Sequence, residues 1–119
     1  MKSKKDIDIP SITFTKHGYI QFRKSLIEQV CEHQYHRQLI DALFVSIVYS
    51  KKSEALVLMF SNNLDSAAFS RVNLLKKRQV SFKASTIGIP DCFIEINRVY
   101  YTNCHETDTD TFIWLVYNN

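Results

Sequence analysis

Ile12-Thr-Phe-Thr-Lys-His-Gly-Tyr-Ile-Gln-Phe-Arg-Lys-Ser-Leu-Ile27 is the stretch on which the fold class turns. Ile12 and Phe14 alternate with Thr13 and Thr15, Lys16-His17-Gly18 interrupts, and Ile20 and Phe22 alternate with Gln21 and Arg23. Period two on both sides of a glycine-containing turn predicts a β-hairpin. From Lys24 the period lengthens. Leu26, Ile27, Val30, Cys31, Gln34, Tyr35 and Leu39 keep one side of a 3.6-residue repeat largely apolar, while Lys24, Glu28 and Glu32 follow one another at i, i+4 on the other. That pattern predicts an amphipathic helix over about 24–38. Upstream, residues 1–10 read as a polar arm ended by Pro10. Downstream, Ala42 to Tyr49 is rich in β-branched and aromatic residues, Ser50-Lys51-Lys52-Ser53 is a polar turn, and Ala55 to Phe60 is a continuous apolar run. These predict a second hairpin whose last strand is buried on both faces. The fold class is α+β, mainly antiparallel strands with one main helix.

The second half echoes the first. A gapless shift of sixty residues sets Val72 on Ile12, Leu74 on Phe14, Lys76 on Lys16, Val80 on Ile20, Phe82 on Phe22 and Lys83 on Arg23. Asp91-Cys92-Phe93-Ile94 then matches Asp41-Ala42-Leu43-Phe44, and Phe112 to Tyr117 stands where Ala55 to Phe60 stood. The expectation is a tandem β-β-α-β-β repeat over 11–60 and 70–117 inside a single domain, 1–119. A second local reading makes Ser66 to Lys77 a helix, because Ala68, Phe69, Val72 and Leu75 fit helical spacing after Asp65 as a cap. Both readings are α+β.

With 119 residues, 45% of them apolar and 13% aromatic, the chain has the core material of one folded domain. Cys31, Cys92 and Cys104 are an odd set without a close-spaced pair, so reduced thiols and a cytoplasmic setting are expected rather than a disulfide framework. The charged start MKSKKDIDIP has no apolar run behind it, which argues against a signal peptide. The apolar stretches are too short to cross a bilayer core of about 30 Å, so no membrane anchor is expected. Strands apolar on both faces exceed what one small sheet hides, and a homo-oligomer is the expected remedy.

Catalytic signatures are missing. The two glycines lie seventy residues apart, which removes glycine-rich phosphate loops, and no G-x-S-x-G, H-E-x-x-H or C-x-x-C occurs. The expectation is no enzyme and no cofactor. Cys31, His33, His36, Cys104 and His105 bear the residue types of a zinc site, but Cys31 and His33 would point about 200° apart on a helix, beyond what one ion bridges. No metal site is expected.

Net charge is +3, and its distribution says more than its size. Arg71, Lys76, Lys77, Arg78 and Lys83 follow one another without an intervening acid, whereas Glu106, Asp108 and Asp110 gather near the end. The nucleic-acid-binding candidates are Lys16, His17, Arg23 and Lys24 in the first hairpin and Lys76, Lys77, Arg78 and Lys83 in its counterpart, which a repeat would place as two equivalent patches. Such hairpins hold phosphates by releasing counterions, and Tyr19 can add stacking. Lysines on turns also keep exposed sheet edges from aggregating, which is the competing account.

Thr13-Phe-Thr-Lys-His-Gly-Tyr-Ile-Gln-Phe-Arg-Lys-Ser-Leu-Ile-Glu28, with Asp41-Ala-Leu-Phe-Val-Ser-Ile-Val-Tyr49 and Leu56-Val-Leu58, resembles the AbrB/MazE swapped-hairpin family over about 50 residues. The resemblance implies strand, Lys-x-Gly turn, strand, helix and closing hairpin, and a DNA-binding role as regulator or antitoxin. The chain departs from that family in having Arg23 where proline is usual, a longer helix, and no glycine before the third strand. The short, glycine-poor, aromatic-rich chain also resembles proteins carried on integron gene cassettes. Two functions follow as expectations: a small oligomeric DNA-binding regulator, or a homo-oligomeric adaptor or small-ligand-binding protein without nucleic-acid activity.

Overall fold

The computed structural model describes residues 9–35, 43–61, 69–72, 78–83, 88–108 and 111–118. The strands are β1 (Ser11–Phe14), β2 (Tyr19–Phe22), β3 (Phe44–Ser50), β4 (Ala55–Ser61), β5 (Phe69–Arg71), β6 (Gln79–Ser81), β7 (Val99–Glu106) and β8 (Phe112–Tyr117). The helix α1 (Lys24–Tyr35) follows β2, and a 3-10 turn, Asp91–Phe93, precedes β7. All eight strands join one sheet in the order β5-β3-β4-β8-β7-β1-β2-β6, and every named pairing is antiparallel. The protein is a strand-dominated α+β fold.

Register puts the apolar residues on one side. Phe14 faces Ile20, Ile12 faces both Phe22 and Tyr100, and Val80 faces Ile20. Trp114 lies between Leu58 and Cys104, and Val116 between Leu56 and Thr102. Successive side chains alternate across a strand, so all of these point to the same, inner face.

That face closes on itself. β2 and β4 stand four places apart in the sheet, about 19 Å if it were flat. Yet the rings of Phe22 and Phe60 meet edge to face with centroids 5.6 Å apart, and Phe60 meets Trp114 at 5.4 Å. The sheet therefore curls strongly into a nearly closed wall around its aromatic interior.

α1 covers part of the inner face. Leu26 and Val30 are fully buried, and Ile27 is half-buried. The Trp114 indole N–H donates to Gln29 Oε1 at 2.7 Å, and the His33 ring lies 5.0 Å from that of Phe112, which fixes the helix against β8. From the other side Phe93 enters the core, stacking on Tyr100 at 5.8 Å and meeting Tyr49 at 5.9 Å. The buried Tyr100 hydroxyl donates to Phe93 O at 2.6 Å and accepts from Glu95 N–H at 2.9 Å, so one phenol holds the turn and the segment after it.

The first hairpin forms as the alternation predicts, and the helix starts at Lys24 and is described to Tyr35; the remainder of the expected 24–38 lies outside the described residues. Two expectations are corrected, and a third is not shown. Ala55 to Phe60 is a strand, but on its outer face Ala55 is buried while Met59 is 37% exposed, so it is not covered on both faces along its length. Asp91-Cys92-Phe93-Ile94 does not open a strand. Phe93 N–H bonds Pro90 O and Ile94 N–H bonds Asp91 O, a tight turn that delivers Phe93 to the core. The described residues also show no tandem repeat, since β5 pairs with β3 and β6 with β2 at opposite edges instead of forming a hairpin. Of the alternative helix over Ser66 to Lys77, Phe69–Arg71 is strand, and the other residues except Val72 lie outside the described set.

Tyr100→Phe should lower stability by about 1–3 kcal/mol, because it leaves a buried carbonyl and an amide without their shared partner. Urea unfolding checks this, and a change within error would mean that the phenol is not what holds the turn.

Candidate nucleic-acid interface

The β1–β2 turn has a simple local cause. Gly18 N–H closes on Thr15 O, Thr15 N–H bonds Tyr19 O, and Gly18 sits at φ 85, in the left-handed region that glycine enters without a Cβ penalty. Lys16 and His17 are left exposed at its tip.

β6 then decides which cations meet. It runs antiparallel to β2 with Tyr19 opposite Ser81 and Gln21 opposite Gln79. Past one end of this ladder Phe82 N–H donates to Gly18 O at 2.8 Å, which brings exposed Lys83 to the corner held by Lys16 and His17. Past the other end Phe22 N–H donates to Arg78 O at 2.8 Å and the Arg78 Nε–H donates back to Phe22 O at 3.3 Å, which sets Arg78 beside Arg23 and Lys24. Arg78 has φ 49, a left-handed conformation unusual for a side-chain-bearing residue, held here by that reciprocal pair.

Each corner mixes residues from both halves of the chain. Lys76 and Lys77 lie outside the described residues. The corners are four residues apart along β2, about 14 Å. Between them the outer face of β2 and β6 presents Tyr19, Gln21, Gln79 and Ser81, with Gln21 Nε2–H donating to Gln79 Oε1 at 3.5 Å. No Asp or Glu occurs from Ile9 to Ile27 or from Ser66 to Pro90. Among the described residues, none of Lys16, Arg23, Lys24, Arg78 or Lys83 is paired with a carboxylate; the ion pair Arg98–Glu95 lies elsewhere. Gln21, Gln79 and Ser81 were not singled out by sequence, where they are ordinary polar positions of a period-two pattern and gain meaning only from the non-local β2–β6 pairing.

A second feature is an open cleft of about 500 Å³, lined by Tyr49, Glu54, Phe93 and Tyr117 among others. It sits between the β3–β4 turn and the 3-10 turn, not between sheet and helix. Arg98 nearby lies 4.6 Å from the Tyr100 ring centre and donates to Asn118 O at 2.7 Å. Its mixed, outward-facing lining gives no convergent set of polar groups of the kind that fixes a small ligand.

The cysteines are free thiols. Partial burial, and then the Glu28 carboxylate, push the Cys31 thiol above its usual range; burial and Glu106 do the same for Cys104. No group of three or more His, Cys, Asp or Glu able to hold a metal is found among the described residues, and no helix among them is long and apolar enough to cross a membrane.

No protein-family model, curated protein or solved structure matches this chain.

Alkylation near neutral pH should modify exposed Cys92 first. Cys31 and Cys104 should lag and catch up as pH rises, since a raised pKa leaves less thiolate at neutrality. Peptide mass spectrometry on a time course reads this order, and equal rates at all three would refute it.

Proposed function

We propose that this protein is a small cytoplasmic DNA-binding regulator that docks the β2–β6 edge of its sheet onto duplex DNA. The observation that carries the reading is the bracketing of a polar strip by two acid-free cationic corners about 14 Å apart. That interval suits a major groove about 12 Å wide, which admits a two-stranded β-ribbon. Lys16 and Lys83 at one end and Arg23, Lys24 and Arg78 at the other meet phosphates, while Gln21 and Gln79 offer the amide pairs that read adenine edges and Tyr19 adds an exposed ring. The resemblance of Thr13 to Glu28 to the swapped-hairpin family supports the same reading.

Lys16→Gln, Lys24→Gln and Lys83→Gln together should flatten the logarithmic salt dependence of duplex binding by about two to three units, at about 0.9 per lost phosphate contact. Stability should change by less than about 0.5 kcal/mol per site, because all three side chains are exposed. Gln21→Ala with Gln79→Ala should leave that slope in place and reduce discrimination between preferred and scrambled duplexes by about 1–3 kcal/mol per lost base contact. Fluorescence anisotropy across a salt series measures both. No binding to any duplex at low salt, or an unaltered slope in the lysine variant, would assign these charges to protecting the sheet edge.

A further inference from the structure

The outer face of β3, β4, β8 and β7 lies apart from the β2–β6 edge and has the opposite character. Cross-strand register sets Val48 beside Val57 and Val57 beside Leu115, with Met59, Tyr101 and Tyr117 around them. Tyr101 is 56% exposed and Val48 46%. Outward positions on these four strands are Phe44, Ser46, Val48 and Ser50; Ala55, Val57, Met59 and Ser61; Ile113, Leu115 and Tyr117; and Val99, Tyr101, Asn103 and His105, of which Ser46 and Ala55 are buried and the rest half-buried or exposed. None is Lys, Arg, Asp or Glu, in a chain with 15 basic and 12 acidic residues. Solvent-facing strands ordinarily alternate apolar-in with polar or charged-out, so the exposed part of this uncharged face, centred on Val48, Met59, Tyr101 and Tyr117, is a surface awaiting cover.

We infer that this face pairs with the same face of a second copy of this chain, sheet against sheet, in a two-fold dimer. Two features of the surface select that occupant. The first is charge. Under a two-fold axis every residue meets its own patch, and a face free of formal charge opposes no like charges and desolvates no ion when it meets itself. An acidic or basic partner finds no counter-charge here. The second is size. Four strands at about 4.8 Å spacing and about seven residues of 3.4 Å each project to roughly 450 Å², or roughly 400 Å² without the buried Ser46 and Ala55 positions. Side chains corrugate that projection, which brings the accessible patch toward the roughly 600–1,000 Å² that each partner contributes to a stable interface. Stacked sheets pack at about 10 Å, a distance that the modest Val, Leu and Met side chains of the central row can fill. β2 and β6 lie outside the contact, so the dimer leaves both cationic edges free.

Sedimentation equilibrium at about 100 µM protein, above the micromolar constants of weak standard-size interfaces, should show a dimer. Val48→Lys with Tyr101→Lys should weaken it more than about tenfold, since each copy would bury two unpaired ammonium groups. Both side chains point outward, and circular dichroism confirms the fold. The milder Val48→Thr, which keeps strand propensity, should give a smaller shift in the same direction. Lys16→Gln with Lys83→Gln should leave the dimer intact, so failure of the DNA reading and failure of this one are told apart. A monomeric wild type overturns the inference. So does a monomer whose outer face binds a hydrophobic dye that the double-lysine variant no longer binds, which would give the face to a different partner. A folded double-lysine variant that dimerises like the wild type also overturns it.

Discussion

The contact between Phe22 and Phe60 is the constraint on which the rest of the structure depends. An antiparallel sheet of eight strands with one apolar face must hide that face, and the helix α1, twelve residues long, covers only part of it. The remainder is hidden by curling until strands four places apart touch through their aromatic rings. Phe60 and Trp114 continue the contact across the interior, and Gln29 satisfies the indole N–H that comes with so large a buried ring. Phe93, held through Tyr100, supplies aromatic bulk at the other side of the core. Aromatic side chains suit this task, because each fills a large volume and tolerates edge-to-face contact at the varied angles a curled wall imposes.

Curling has consequences outside the core. It spends the helix and the apolar inner face on the interior and leaves Val48, Met59, Tyr101 and Tyr117 exposed on the outer face. It also leaves two sheet edges, β5 and β6. Unpaired strand edges attract other strands, and cations at their ends oppose that. Lys83 and Arg78 flank β6 in that position, and Arg71 ends β5. The same placement that blunts an edge builds an electropositive strip when neighbouring turns add Lys16, Arg23 and Lys24 without a compensating acid.

Sequence reasoning reached the local structure and stopped at the pairings. The hairpin from Ile12 to Phe22, the helix from Lys24 and the strands over Phe44–Ser50, Ala55–Ser61 and Phe112–Tyr117 follow from periodicity and turn chemistry, which act over a few residues. Phe69–Arg71 and Gln79–Ser81 are three residues each, too short for a period to be measured, and their partners lie far away in the chain. Alternation around Val72 and Val80 resembles that around Ile12 and Ile20 because any strand with one buried face alternates, so similarity of pattern could not distinguish a repeated hairpin from two separate edge strands. The segment after Pro90 has strand-like composition, yet the hydrogen bonds to Pro90 O and Asp91 O and the place waiting for Phe93 between Tyr49 and Tyr100 favour a turn. Six of the eight residues chosen from sequence fall at the two corners. What brings them together is the β2–β6 ladder, which the sequence does not display.

The division of charge also fixes which surface can do what. Burying the β2–β6 edge against another protein surface without acids would strip water from Lys16, Arg23, Lys24, Arg78 and Lys83 with nothing to replace it, a penalty of several kcal/mol for each ion even after relaxation. A polyanion removes the same water and supplies a phosphate in exchange. The outer face of β3, β4, β8 and β7 is the reverse case: it has no cation to offer a phosphate, and its Val, Leu, Met and Tyr side chains gain about 25 cal/mol for each square ångström withdrawn from water. The two surfaces therefore suit partners of opposite chemistry, and occupying one leaves the other open, with the β1 strand between β7 and β2 as the element that joins them.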